Sequence, residues 1–136
     1  MPYTTNYINT LIEPAEDCPN LQGTIPVGKS GKETIASLQY RLLQGQPYQM
    51  NSDALLFRVY AARKDIDAGD AGEWQAFFAK PQACLRASPL TKQFGWAIHA
   101  DAAGHIALID PASDRYKQLL EDPEIKKVKG MRSSSK

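Results

Sequence analysis

Cysteine is scarce in this chain, and long apolar runs are missing altogether. The two cysteines, Cys18 and Cys84, are too few for a disulfide framework, and neither belongs to a CxxC pair typical of zinc or redox sites. We therefore expect free thiols and a cytoplasmic location. No stretch approaches the roughly 18 apolar residues of a membrane-spanning helix. The N-terminal segment also lacks the basic start and apolar core of a signal peptide, so we expect neither a membrane nor a secreted protein.

A strong overall charge of one sign is lacking too, because the formal net charge of the 136 residues is only +1. The distribution is uneven: residues 1–75 carry six basic and nine acidic side chains, and residues 76–136 carry ten and six. Much of the basic excess lies in one C-terminal segment, through Lys126, Lys127, Lys129, Arg132 and Lys136. Clustered Lys and Arg bind the phosphates of nucleic acids, although most such runs are simply solvated. Nucleic-acid binding is therefore one hypothesis for this segment.

What the sequence does contain is the composition of an ordinary globular protein, with 43% hydrophobic and 23% charged residues. A chain of this length buries enough surface to form its own core. We predict a single α+β domain over residues 1–136, with a mostly antiparallel sheet of about five short strands. Three helices are expected to pack mainly on one face of that sheet. The basic tail, 131–136, is expected to fray.

The first half of the chain predicts two strands, a long loop and one helix. Residues 6–12 are rich in β-formers and indicate a strand, whereas the Pro- and Gly-containing stretch 13–31 indicates a surface loop. Ser30 and Glu33 have the spacing of a capping box, which predicts a helix beginning there. The sequence LLFRVYAAR, 55–63, alternates in a way that predicts a second strand.

The second half predicts two further helices and short strands. Asp70 and Glu73 form another capping-box pattern, and Ser113 is placed to cap a last helix. The segment QACLRAS, 82–88, is interpreted as a short strand that Pro89 interrupts. The sequence KKVKGMRS then predicts an edge strand near the C-terminus.

A β-hairpin over residues 94–110 is the clearest unit of the sequence. A three-residue loop that ends with Gly104 in the left-handed conformation pairs Ile98 with Leu108 and places Trp96 on the same face. A two-residue loop would shift the register and scatter the apolar side chains. We therefore predict the longer loop, with its apolar face buried.

Several segments of the chain, in this order, resemble a known bacterial family: NYINTLIEPAEDCP, GTIP, TIASLQYRLL, SDALLFRVYAARK, FFAKPQACLRASPLTKQFGWAIHAD and KGMRS. The family is domain of unknown function 6157. The resemblance spans nearly the whole chain and is most specific from Phe77 to Asp101. It implies a stand-alone bacterial domain, and it supplies no activity, cofactor or catalytic residue.

The sequence GTIPVGKS, 23–30, matches the pattern of a phosphate-binding loop. Such a loop must be fed by a buried strand, and the preceding residues DCPNLQ have no strand character. Pro26 also stiffens a turn whose amides would have to surround phosphate. We predict that this segment does not bind nucleotide.

Two histidines and a carboxylate cluster on the hairpin. In the predicted register His99, Asp101 and His105 all point away from the face of Trp96, with Asp101 opposite His105. These three side chains are candidate ligands of a divalent metal. A polar surface beside a turn explains the same pattern equally simply.

The cysteines differ in their neighbours. Cys18 follows two acidic residues, which disfavour a thiolate, whereas Cys84 lies between Lys80 and Arg86, which favour it. Cys84 and His99 are therefore the candidates for a catalytic nucleophile and base. A buried, inert thiol is the alternative interpretation of Cys84.

Three functions remain open, and the leading one is a non-catalytic binding or regulatory module for a small molecule or a protein. Its expected location is the concave region between residues 77–94 and the hairpin. The candidate ligand-binding side chains are Lys80, Arg86, Lys92 and Trp96. The alternatives are a small enzyme that uses Cys84 or the histidine face, and nucleic-acid binding by the basic segment. We expect no cofactor, and a homo-oligomer remains open.

Overall fold

Four strands and five α-helices, with one turn of 3₁₀ helix, make up the described part of the chain. The computed structural model describes residues 4–26 and 32–132. The elements in chain order are β1 (Thr10–Glu13), α1 (Ile35–Gly45), α2 (Ser52–Lys64), α3 (Ala71–Phe78), the 3₁₀ turn (Leu85–Ala87), α4 (Pro89–Lys92), β2 (Ala97–Ala100), β3 (Ile106–Ile109), α5 (Asp114–Glu121) and β4 (Lys126–Lys129). The end of the GTIPVGKS motif, including Ser30 of the predicted capping box, and residues 133–136 of the tail lie outside the described residues.

The strands form one mixed sheet in the order β3-β2-β1-β4. Strand β2 pairs antiparallel with β1 and β3, and β4 pairs parallel with β1. The predicted α+β class is confirmed. The prediction of about five strands, mostly antiparallel, with three helices was inaccurate, because two segments interpreted as strands are helical.

The hairpin has the predicted geometry. Ile98 is opposite Leu108, and Ala100 is opposite Ile106. Gly104 has a φ of +86° and completes the three-residue loop. This register follows from short-range turn chemistry and from the alternation of apolar residues, so the sequence alone determines it.

The segment 55–63 was predicted as a strand and is the body of α2. Asn51 caps this helix by accepting a hydrogen bond from the Ala54 amide at 2.8 Å. Apolar side chains cover two sides of it. Leu55 and Val59 form one apolar stripe, which packs into the main core. Phe57 and Ala61 form a second stripe, offset by two residues, which packs among the aromatic residues of α3. Within each stripe the apolar residues are four positions apart, and the two stripes are offset by two positions. Together they place an apolar residue at every second position, which is the pattern that indicates a strand.

The segment 82–88 was also predicted as a strand, and it forms the 3₁₀ turn that leads into α4. Ser88 caps α4 by accepting from the Leu90 amide, and Pro89 occupies the first helical position. Serine followed by proline is a helix-start signal, because proline has no amide hydrogen to leave unpaired there. Leu85, in this 3₁₀ turn, is fully buried and belongs to the main core cluster.

The other helix starts depend on capping side chains. Thr34 and Ser37 form the capping box of α1, so the prediction that Ser30 and Glu33 start this helix was wrong. The helices predicted after Asp70 and Ser113 are confirmed, with each capping side chain accepting from the amide three residues later. These caps are short-range signals, yet only those of α3 and α5 were recognised in the sequence, and those of α1, α2 and α4 were not.

Helices cover both faces of the sheet. Helices α1, α2 and α4 pack on the face that carries Ile12, Ile98 and Ile106. Helix α5 packs on the other face through Leu119, against a smaller cluster that includes Leu11. We predicted helices mainly on one face of the sheet, and α1, α2 and α4 do lie on one face. The prediction did not include α5, which covers the other face.

Candidate functional site

A cavity of about 270 Å³ lies between α1, α2, the end of α3 and the 82–89 segment. Its walls are mostly apolar, through Ile35, Leu56, Val59, Tyr60, Phe77 and Pro89. A few polar side chains interrupt this surface. Concave, mainly apolar sites with a small number of polar groups are the usual binding sites for small molecules. We refer to this space as the α1–α2 cavity.

One face of α2 supplies the floor of the α1–α2 cavity. Leu56, Val59, Tyr60 and Arg63 follow the spacing i, i+3, i+4, i+7, which places their side chains on one side of a helix. Sequence reasoning missed this face, because the segment was interpreted as a strand. The signal that could have revealed it is this same spacing, read with Asn51 as a helix cap.

Gln39 is the most buried polar side chain in the cavity wall, with only 3% of its surface exposed. Its Oε1 accepts a hydrogen bond of 2.6 Å from the hydroxyl of Ser88. Because that oxygen is engaged, the amide N–H groups are the donors that Gln39 has available. No buried side-chain nitrogen or oxygen in the described residues lacks a partner. The amide nitrogen of Gln39 is therefore not sealed inside the protein, and Gln39 is one of the residues that line the cavity.

Cys84 lines the same cavity and is half-buried. The hydroxyl of Tyr7 lies beside this thiol and forms a hydrogen bond with it. The pKa of Tyr7 is raised to about 12, mainly by burial and secondly by this hydrogen bond. The phenol therefore stays neutral at ordinary pH and cannot act as a base there. Arg86, a neighbour of Cys84 in the sequence, donates from Nε to the carbonyl oxygen of Lys129 at 2.5 Å.

His99 lies on the other face of the sheet. Its neighbour Ile98 packs in the same core cluster as Leu85, the residue that follows Cys84. Because successive side chains of a strand point to opposite faces, His99 points away from that cluster. The structure therefore does not bring Cys84 and His99 together as nucleophile and base.

Tyr48 is the partner of His99, with its hydroxyl 2.7 Å from Nδ1. The imidazole is only 6% exposed, and its ring meets that of Tyr48 edge-on at 5.5 Å. Burial lowers the pKa of His99, and the positive charge of Arg115 lowers it further. His99 is therefore a neutral, buried side chain rather than part of a solvated face.

The other two candidate metal ligands have roles in the hairpin turn. Oδ1 of Asp101 accepts from the backbone amides of Ala103 at 3.0 Å and His105 at 2.9 Å, which holds the loop. Across residues 4–26 and 32–132, no three His, Cys, Asp or Glu side chains lie close enough to hold a metal ion. His99, Asp101 and His105 are on the expected face, but they do not form such a group.

The loop after β1 covers Trp96, the aromatic candidate for ligand binding. The indole is 8% exposed, and its Nε1 donates to the Thr24 carbonyl at 2.8 Å. A Cβ added to Gly23 would lie 2.7 Å from the indole ring, so only glycine fits there. The start of the GTIPVGKS motif thus packs on Trp96, and no strand precedes it in the described loop. The hairpin does not line the α1–α2 cavity, contrary to expectation.

The remaining candidate side chains are dispersed. Lys80 borders a shallow hollow of about 330 Å³, which shares Tyr60, Phe77 and Gln82 with the α1–α2 cavity. Lys92 ends α4 and does not line that cavity. Of the basic residues proposed for ligand binding, Lys80 borders this neighbouring hollow, and none lines the α1–α2 cavity itself.

The basic C-terminal segment forms β4, which confirms the predicted edge strand. Lys127 and Lys129 share one face of the sheet and Lys126 lies on the other, because neighbouring side chains of a strand point to opposite faces. Lys127 donates to the carbonyl of Asp122, and Lys129 lies 4.0 Å from the carboxylate of Glu16. Lys126 and Arg132 are exposed. The segment therefore offers separate cations instead of a continuous basic groove.

A family model described as a family of unknown function, DUF6157, matches residues 2–136. The chain belongs to this family. The resemblance given by its sequence segments is thereby confirmed over nearly the whole chain. No curated protein and no solved structure matches the chain. Among the described residues, no helix is both long and apolar enough to cross a membrane.

Proposed function

We propose that this member of DUF6157 is a non-catalytic binding module that takes a small molecule into the α1–α2 cavity. The observation that carries the proposal is the combination of mostly apolar walls with the buried amide of Gln39. Apolar surface supplies affinity, and a fixed polar group supplies orientation. Its two unpaired cysteines support a location in the bacterial cytoplasm.

The size and shape of the cavity favour a small molecule over a protein. A volume of about 270 Å³ lies just below the range of about 300 to 1,000 Å³ that is typical of ligand sites. It therefore suits a compact metabolite, whereas a protein partner would need a broad surface.

The surroundings of Cys84 favour binding over catalysis. A cysteine nucleophile is usually activated by an adjacent base, and the side chain beside this thiol is the phenol of Tyr7, whose pKa is about 12. His99, the other catalytic candidate, lies on the opposite face of the sheet. An enzyme that uses these two residues would need a different arrangement.

Cys84 provides a direct experiment, because its thiol lines the cavity and Cys18, in the loop after β1, serves as an internal reference. A library of small metabolites is first screened for compounds that raise Tm, since binding to the folded state alone stabilises it. Timed alkylation with mass-spectrometric detection then follows each cysteine separately. We expect a bound compound to slow labelling of Cys84 and to leave Cys18 unchanged.

A blocked cavity is the control. Leu56→Trp places an indole in the space between the walls, and Leu120→Trp makes the same substitution on the exposed surface of α5. The stabilising compounds should lose their effect on Leu56→Trp and keep it on Leu120→Trp. Equal binding to both variants, equal protection of both cysteines, or no stabilising compound at all would overturn the proposal.

A further inference from the structure

Positive charge surrounds the α1–α2 cavity. Among residues 4–26 and 32–132, Arg63 is the only charged side chain in its wall. On one side of the cavity lies the hollow described above, which shares Tyr60 with the cavity. Its described lining residues include Lys80 and no carboxylate. On the other side, a hollow that shares Arg63 adds Lys32, Arg41 and Glu33. Of the described residues in the walls of these three spaces, Glu33 is the sole acidic one, and Arg41 already pairs with it.

Arg63 itself has no carboxylate partner within the described residues. The ion pairs there join Arg41 to Glu33 and Lys129 to Glu16. Arg63 lies in the last turn of α2, where a basic residue also stabilises the negative end of the helix. Lys64 can serve that purpose equally well. Helix stabilisation therefore does not explain why a guanidinium lies at an apolar cavity.

Two of the polar groups in the cavity wall, on Arg63 and Gln39, are donors that come from different helices. Arg63 offers a planar fork that matches a carboxylate, and the amide of Gln39 offers N–H groups. Between them the wall includes Leu56, Val59 and Tyr60 of α2. A ligand that satisfies this arrangement carries an anionic oxygen at one position, an oxygen acceptor at the other and an apolar body between them.

We infer that the ligand is a small, largely apolar carboxylic acid whose carboxylate pairs with Arg63. The inference rests on the proposed function, since it names the chemical class that the same cavity takes. A cation is disfavoured, because nothing acidic in the wall would neutralise it. A polyphosphate is disfavoured too, because the volume of about 270 Å³ is small and one guanidinium cannot neutralise several phosphates.

The test compares matched ligands that differ only in charge. Phenylacetate and octanoate are measured against their primary amides and alcohols, by calorimetry and by protection of Cys84 from alkylation. A hydrogen bond to a charged group contributes about 1.5 to 3 kcal/mol, so we expect each acid to bind at least about tenfold more tightly than its amide. Added salt should reduce this difference, because the mouth of the cavity is open to water.

Two arginine variants on the same helix separate a specific pair from a general charge effect. Arg63→Gln should weaken binding of the acids to the level of the amides while leaving the amides unchanged. Arg58→Gln removes the same charge from an exposed position outside the cavity wall, and it should change neither.

The outcomes distinguish the ligand class from the cavity itself. If acids and amides protect Cys84 equally, or if Arg63→Gln weakens both alike, the inference fails and the proposed function stands. If neither acids nor amides bind, while other compounds protect Cys84, the inference also fails alone. If no compound of any class protects Cys84, the proposed function fails with it.

Discussion

Gly95 is the most demanding glycine in the structure, and its replacement by alanine gives a sharp test of how the loop after β1 is placed. Its φ is +77°, in the left-handed region that side chains disfavour. A Cβ built there would lie 2.2 Å from the carbonyl oxygen of Gln22 and 3.1 Å from Cβ of Asn20. Because the closest atom belongs to the backbone, the loop must move to accept even a methyl group.

The expected loss has two parts. Holding a non-glycine residue in the left-handed conformation costs about 1 to 2 kcal/mol. Displacing the loop also breaks the bond from the Thr24 amide to the Phe94 carbonyl and the bond from Trp96 to the Thr24 carbonyl, each contributing about 1 kcal/mol. Gly95→Ala should therefore lower the free energy of unfolding by about 3 to 4 kcal/mol, which lowers Tm by roughly 10 to 15 °C.

Urea unfolding followed by tryptophan fluorescence measures this change, and Gly45→Ala is the matched control. Gly45 is the last residue of α1, and a Cβ there meets nothing within 4 Å. Alanine favours helix over glycine, so this variant should keep the stability of the wild type or gain up to about 1 kcal/mol. If Gly95→Ala is as stable as Gly45→Ala, the loop does not pack on Trp96 as described.

Two further predictions concern buried side chains. Because burial lowers the pKa of His99, the unfolded chain binds a proton near pH 6.5 more readily than the folded protein does. The free energy of unfolding should therefore fall as the pH drops below about 6.5. Urea unfolding at several pH values measures this dependence, which His99→Gln should flatten. Phe57 joins α2 to Trp74 and Phe77 of α3, so Phe57→Ala should cost about 3 to 5 kcal/mol. Arg58→Ala, at an exposed position beside it, should stay within about 0.5 kcal/mol of the wild type.

Features set by neighbouring residues were predictable from this sequence. The hairpin register depends on a turn through Gly104, and the starts of α3 and α5 depend on Asp70 and Ser113, each within a few residues of the backbone group it binds. The edge strand β4 was found in the same way. Its parallel pairing with β1 was not, because that pairing joins segments far apart in the chain.

Features set by packing were not predictable. Helix α2 contacts the main core, the aromatic cluster of α3 and the cavity on different sides, so its sequence shows no single apolar stripe. His99 was placed on the correct face, but α5 buries part of that face, and no short-range pattern shows this. The binding site was predicted between residues 77–94 and the hairpin, but the cavity lies among residues from 77 to 89, α1 and α2; Gln39 and Arg63 were missed because their contribution depends on how these two helices pack.

The parallel pairing of β1 with β4 has a consequence for the synthesis of the protein. Strand β1 lies inside the sheet, between β2 and β4. Both neighbours are far from it in the sequence, because Thr10 is opposite Ala100 of β2 and Lys126 of β4. A ribosome that adds about 5 to 20 residues per second needs roughly 6 to 23 seconds to pass from residue 10 to residue 126. Throughout that interval the backbone of β1 has an unpaired edge, beside the apolar side chains of Leu11 and Ile12. The sheet is therefore completed only after residue 126 has been synthesised, and until then this edge of β1 is open to non-native pairing.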